Sequence, residues 1–276
     1  MRVLYVAEIV GKAGIYAFRK GLAELGRQHK WDFLIAGADG ATGGNGLGRS
    51  HAAYLRKLGA NVLTVGDCCF YKKDLTENFE KLPYVLRPDN LNPEAPGFGA
   101  RVYKVGGEKI AVAALIGQNG FGRLHGSSPF AHLPALLERL RRETPYVLVD
   151  FHAQASAEKK ALFFLADGKC SAVVGSHTRV QTADERVFPG GTATISDAGR
   201  TGSIESVGGC EIASRVREYL SGIPDWTRDA WGKPALQGVL IDIGADGKAR
   251  SIARVSVGVS PPADAEKSES GEHCEG

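Results

Sequence analysis

Six short apolar runs each end on a side chain that binds cations or moves protons. Glu8 lies near the end of Val3–Val10, just before Gly11. Asp39 follows the run Asp32–Gly37 and opens a glycine-rich turn, Asp39-Gly40-Ala41-Thr42-Gly43-Gly44. Asp67 and Cys68 follow Gly66, and His152, His177 and Asp197 end three later runs. Each residue alone has an ordinary explanation. A strand-end acid is commonly a helix cap, a single histidine a structural one, and Cys68 and Cys69 small buried hydrophobes. Arg179 and Arg200 are by default surface charges. The set argues otherwise, because ligands of α/β sheets bind in the crevice outside the carboxyl ends of the strands. Carboxylates and imidazoles gathered there suit a divalent cation such as Mn, Fe or Zn. Neighbouring glycines let the backbone turn sharply beside such an ion.

The elements that must carry these residues are readable from periodicity. Apolar, β-branched runs at Val3–Val10, Asp32–Gly37, Asn61–Gly66, Lys109–Gly117, Tyr146–His152, Ser171–His177 and Thr192–Ala198 predict buried strands. Helical patterns lie between several of them, at Ile15–His29, Arg49–Leu58, Lys73–Leu82, Leu133–Glu143, Ala157–Asp167 and Glu211–Leu220. This alternation predicts an α/β fold with crossover connections. Gln237–Gly244 and Lys248–Val259 alternate apolar and polar residues around Ala245-Asp246-Gly247, which predicts a closing antiparallel hairpin.

The bulk numbers bound the class of protein. A chain of 276 residues with 43% hydrophobic content buries one large core. The expected organisation is a single domain over residues 1–260 and a disordered tail over 261–276, where no large apolar residue occurs. A net charge of +3 gives no sign of a nucleic-acid surface. No apolar run approaches the ~20 residues that span a bilayer, so no membrane partner is expected. The N-terminus lacks the pattern of a secretory signal, and the five cysteines form no framework spacing. Reduced thiols and a cytoplasmic location follow as expectations.

Three segments together resemble the YmdB-like metallophosphoesterases of the calcineurin-like superfamily. They are Val174-Gly175-Ser176-His177-Thr178-Arg179-Val180-Gln181-Thr182, Val149-Asp150-Phe151-His152-Ala153-Gln154-Ala155-Ser156 and Arg87-Pro88-Asp89-Asn90. The opening Arg2-Val3-Leu4-Tyr5-Val6-Ala7-Glu8 fits the family's first motif, and the resemblance runs from Met1 to about Gly209. It implies two packed β-sheets with helices outside, a four-layer sandwich. It also implies a dinuclear metal centre, hydrolysis of phosphate esters including cyclic nucleotides, and a homo-oligomer. A phosphate-ester small molecule or nucleotide is the implied partner, and Asn90 and Arg200 are implied substrate contacts.

The departures from the family pattern fall on the metal ligands. The family has Asp at the place of Glu8, Glu-Asn at Asp39-Gly40, Asn-His at Asp67-Cys68, and His-Thr-His at His177-Thr178-Arg179. By resemblance, one cation is held by Asp39, Asp67, His152 and His177, all still competent donors. Asp39 is one methylene shorter than Glu, which puts its bridging of two ions in question. The second cation needs Glu8, Asp39 and the residues at 40 and 179. Gly40 offers no side chain, and Arg179 is always protonated and repels a cation. The expectation is one divalent ion (Mn, Fe, Zn or Mg) rather than two, with Arg179 in the place of the second.

By resemblance, Cys68 replaces a histidine expected to protonate the leaving group or steady the phosphate. A thiol is a weaker donor, and near a cation it becomes a thiolate ligand instead. Loss of a general acid typically costs ~10²–10⁴ in rate. Cys68 and Arg179 therefore mark the candidate catalytic changes, and Arg179 has the charge to steady a phosphate. The chain reads as a metal-dependent phosphoesterase with an altered site. The alternative is a catalytically silent relative that binds a phosphate ligand or a protein. A thiol redox sensor at Cys68-Cys69 is a weaker third reading, since adjacent cysteines bridge only under strain.

Overall fold

The computed structural model describes residues 1–225 and 228–263; most of the expected tail, residues 264–276, lies outside the described residues. The N-terminal half runs β1 (Arg2–Val6), β2 (Glu8–Ile9), α1 (Gly11–Gln28), β3 (Phe33–Gly37), α2 (Arg49–Lys57), β4 (Val62–Thr64), α3 (Lys73–Thr76) and β5 (Val85–Leu86). Next come β6 (Ala100–Val105), β7 (Glu108–Ile116), α4 (Pro129–Arg141), β8 (Val147–His152), α5 (Ser156–Ala166) and β9 (Ala172–Ser176). The chain closes with β10 (Arg186–Val187), β11 (Ala193–Ile195), β12 (Arg200–Glu205), α6 (Ile212–Ser221), β13 (Gly232–Ile243) and β14 (Ala249–Gly258).

These strands form two sheets, one in the order β2-β12-β13-β1-β3-β4-β5 with β14 on β13, the other in the order β10-β11-β9-β8-β7-β6. Strand periodicity explains the layering. Val3 and Tyr5 of β1 point inward, to a core with Ile110, Val112, Leu148 and Val174 of the opposite sheet. Leu4 and Val6 point outward, against Phe18, Leu22 and Leu25 of α1. On the second sheet, Val147, Val149 and Phe151 turn out to meet Leu133, Leu137 and Leu140 of α4 and Leu162 of α5. The result is the four-layer α/β/β/α arrangement of the calcineurin-like fold.

The expected strands and helices are present with shifted ends, and three differences have clear causes. The run Val3–Val10 is split: Ala7 donates to Gln237 O, and Glu8 then pairs with Arg200 of β12. The expected helix Lys73–Leu82 is a short turn, Lys73–Thr76, followed by a 3-10 turn, Phe79–Lys81. Asn78 interrupts it by donating its side-chain amide to Asp74 O, a local bond that competes with the helix. The hairpin is longer than its alternating pattern because β13 extends back to Gly232 to pair with β12. Strands β5, β6, β10 and β12 are additional to the sequence reading.

Candidate metal centre

The site is assembled from both sheets, at the carboxyl ends of the parallel strands β1, β3, β4, β8 and β9. Asp39 is buried; its Oδ1 accepts from Gly66 N at 2.7 Å and its Oδ2 from Cys68 N at 3.1 Å. Those two bonds tie the loop after β3 to the loop after β4. Asp67 Oδ1 lies 2.7 Å from His152 Nε2 and 3.4 Å from His177 Nδ1. The two imidazole nitrogens are 3.0 Å apart, and Asp39 Oδ2 is 3.8 Å from His152 Nε2. Asp67, His152 and His177 thus form one group whose donor atoms all lie within 4.8 Å of one another, with Asp39 beside it. Gly66 is needed beneath them: a Cβ there would lie 2.3 Å from the His152 ring.

The charge states follow from this crowding. Burial raises Asp39 to about 7, with the charges of Asp67 and Glu8 adding to the rise. Burial opposes charging of His152, yet the hydrogen bond to Asp67 and the charges of Asp39 and Glu8 outweigh it and lift the group to about 9. Burial also works against the Asp67 carboxylate, but the bonds from His152 and His177 hold it well below the usual range. Buried carboxylates competing for scarce positive charge are a fitting seat for a cation. Glu8 Oε2 adds to this, being buried without a hydrogen-bond partner. Two imidazoles and two carboxylates suit one divalent ion.

Beside this group lies an ion pair. Arg179 donates from Nε and Nη2 to Glu8 Oε1 at 2.9 and 2.7 Å, from Nη1 to Gly208 O at 3.0 Å, and from Nη2 to Gly44 O at 3.0 Å. The guanidinium fills the space beside Gly40, where a Cβ would stand 2.9 Å from Nη2. With Glu8 only 3% exposed, this is a buried, hydrogen-bonded ion pair.

The turn bearing His177 and Arg179 is strained, with φ of 94° and 60° at these non-glycine residues. Asp197 holds it there. Its Oδ2 accepts from Thr178 N at 2.9 Å, from Thr178 Oγ1 at 2.7 Å and from buried Lys159 Nζ at 3.1 Å. Asp150 lies deeper and accepts from Tyr5 Oη and Ser176 Oγ, both at 2.7 Å, and from Thr64 Oγ1. Ser176 Oγ also lies 3.2 Å from His152 Nδ1 and so orients that ring. Phe121 packs on both imidazoles, at 5.8 and 4.9 Å between ring centroids.

The remaining candidate residues serve other ends. Cys68 is 7% exposed; burial and then Asp39, Asp67 and Glu8 push its thiol far above the ordinary range. These neighbours hold the thiol toward its protonated form, and its Sγ lies 3.7 Å from Asp67 Oδ2. Asn90 and Arg200, the implied substrate contacts, are taken up by hydrogen bonds to backbone. The Asn90 amide is committed to Ile116 N, Ile116 O and Ser127 O, and Arg200 donates to Ser203 O, Arg179 O and Ile204 O. Both are buried struts under the site loops. Sequence reasoning overlooked Asp150, Lys159 and Phe121 as supports. The two charges inside buried, patterned elements were the available signal for the first two; Phe121, in a glycine-rich loop, gave none.

A two-sheet sandwich with cation donors at its strand ends defines the class: a calcineurin-like phosphoesterase architecture. The chain belongs to the YmdB-like protein family, whose model matches residues 4–255. It is 35% identical over 243 residues to a 2',3'-cyclic-nucleotide 2'-phosphodiesterase of Bacillus subtilis (strain 168), covering 88% of this chain and 91% of that protein. The crystal structure of a novel phosphatase from Mycoplasma pneumoniae is similar at a TM-score of 0.87 and 28% identity, over 95% of each chain. That of a hypothetical protein from Thermus thermophilus reaches 0.86 at 32% identity, over 95% of this chain and 100% of that one. Relatives with these names support a phosphoesterase function. Among the described residues no helix is long and apolar enough to cross a membrane.

Proposed function

We propose that the chain is a metal-dependent phosphodiesterase that works with one divalent cation, and that the Glu8–Arg179 ion pair stands where the family resemblance implies a second. The observation that carries this reading is the group Asp67, His152 and His177, whose donor atoms all lie within 4.8 Å of one another, with Asp39 Oδ2 3.8 Å from His152 Nε2. When bound there, the cation serves as a Lewis acid toward a phosphoryl oxygen. The protein's own groups do the rest. Asp67 and Ser176 fix the His152 ring, Asp197 fixes the His177 turn, and Phe121 shields both imidazoles from water. Arg179 has four hydrogen bonds to protein acceptors, so it neutralises Glu8 rather than clamping the substrate.

The substrate seat is the cavity of about 190 Å³ that opens on Asp67, lined by Tyr71, Phe121 and Arg123. A larger cavity of about 290 Å³ beside Glu205 and Arg228 contains none of the donors. Two aromatic rings and a guanidinium next to a cation suit a nucleotide phosphodiester, with 2',3'-cyclic nucleotides the first to try. The thiols support a cytoplasmic setting; Cys68, Cys69, Cys170 and Cys210 are all free.

Hydrolysis of bis-p-nitrophenyl phosphate and of 2',3'-cyclic nucleotides, with Mn²⁺, Zn²⁺, Fe²⁺ or Mg²⁺ added in turn, tests the reading. Turnover is expected with at least one ion, and His152→Ala should lower it by about 100-fold or more. The committed guanidinium and the protonated Cys68 favour a second reading, a silent family member that binds a nucleotide without cleaving it. No turnover with any ion, together with calorimetric binding of the intact nucleotide, would favour that one.

A further inference from the structure

We infer that Cys68 is a sulfur ligand of the cation, and that the site therefore selects thiophilic ions such as Zn²⁺ or Cd²⁺ over Mn²⁺ and Mg²⁺. The inference rests on the single-cation reading and deepens it by naming the metal class. Two triads of donor atoms occur, Asp67/His152/His177 and Asp39/Asp67/Cys68; within each, the atoms all lie within 4.8 Å of one another. Asp67 belongs to both. Its Oδ1 faces the histidines, and its Oδ2 lies 3.7 Å from Cys68 Sγ. The thiol is held at this place by backbone: Cys68 N donates to Asp39 Oδ2, and Cys68 O accepts from Tyr71 N at 3.0 Å.

The neighbouring residue sharpens the contrast. Cys69 packs in the apolar cluster beneath α2, with Leu55 and Phe79, as a buried cysteine ordinarily does. Cys68 is no member of that cluster; its sulfur looks onto carboxylates. A soft donor beside the carboxylates of Asp39 and Asp67 moves preference toward Zn²⁺ and Cd²⁺ and away from hard, oxygen-preferring ions. On binding, the ion takes the place of the thiol proton, which passes to solvent.

Absorption of the full-length chain loaded with Co²⁺ tests this, because sulfur ligation gives a thiolate-to-cobalt charge-transfer band in the near ultraviolet. The band is expected in the native chain and in Cys210→Ser, and absent in Cys68→Ser. In competition between Cd²⁺ and Mn²⁺, Cys68→Ser should lose about 10–100-fold in Cd²⁺ affinity and less than about threefold in Mn²⁺ affinity. Cadmium NMR of the native chain needs no variant and should show the downfield resonance of a sulfur-bound ion. Co²⁺ uptake with no charge-transfer band, or a band that survives in Cys68→Ser, overturns the inference and leaves the cation reading intact. A chain that takes up none of these ions overturns both.

Discussion

Gly40 and Arg179 act as one substitution. The guanidinium, held by four hydrogen bonds, lies where a side chain at position 40 would start, 2.9 Å from Nη2 and 3.0 Å from Glu8 Oε1. A donor cannot return at 40 while Arg179 is there. Gly40→Asn should therefore destabilise the chain by about 1–3 kcal/mol through overpacking, and by clearly less in an Arg179→His background. Urea unfolding of the two single variants and the double variant measures this coupling; strictly additive costs would sink the idea. Much of the chemistry at this scale was legible, because metal-binding side chains at strand ends are a type-and-place signal. Asn90 and Arg200 show its limit. A motif says which residues recur together, while the direction each side chain faces is decided by backbone it meets far away in the chain.

The turn between β9 and β10 carries His177 and Arg179 in left-handed backbone, and such strain persists only where the surroundings over-determine it. Here the determinant is Asp197, bonded to Thr178 and paired with Lys159, whose side chain is 2% exposed. Lys159→Met keeps the bulk and removes the charge, leaving Asp197 buried among its remaining donors. The expected cost is about 3–5 kcal/mol in urea unfolding, as for other broken buried pairs. A change under about 1 kcal/mol would mean the pair is dispensable. Lys159 and Asp197 are 38 residues apart, and nothing local in Ala157–Asp167 announced the contact. Among whole elements, long buried runs such as Lys109–Gly117 were readable because both faces are apolar. Apart from β12, a six-residue strand between β2 and β13, the strands that went unread are two residues long, β5 and β10, or an edge strand with charges, β6 with Arg101 and Lys104. Too few alternating positions exist there to set a period.

At the scale of the molecule, the site exists because two sheets bring their strand ends together. β2 carries Glu8, and β3 and β4 lead into Asp39 and Asp67 from one sheet, while β8 and β9 deliver the histidines from the other. Tyr5 of the first sheet donates to Asp150 of the second, 2.7 Å away, and so pins the sheets directly below the donors. The α/β class and the closing hairpin followed from periodicity alone; the partition into two sheets came only from the family resemblance, since strand order is set by long-range pairing that no local pattern encodes. We propose that this frame holds one cation, with Arg179 and Glu8 neutralising each other where the family resemblance implies another. Metal content of the purified full-length chain, measured by mass spectrometry after dialysis against a weak chelator, tests it most directly. About one tightly held divalent ion per chain is expected, where a two-metal enzyme would keep about two. Two tightly bound ions per chain would contradict it.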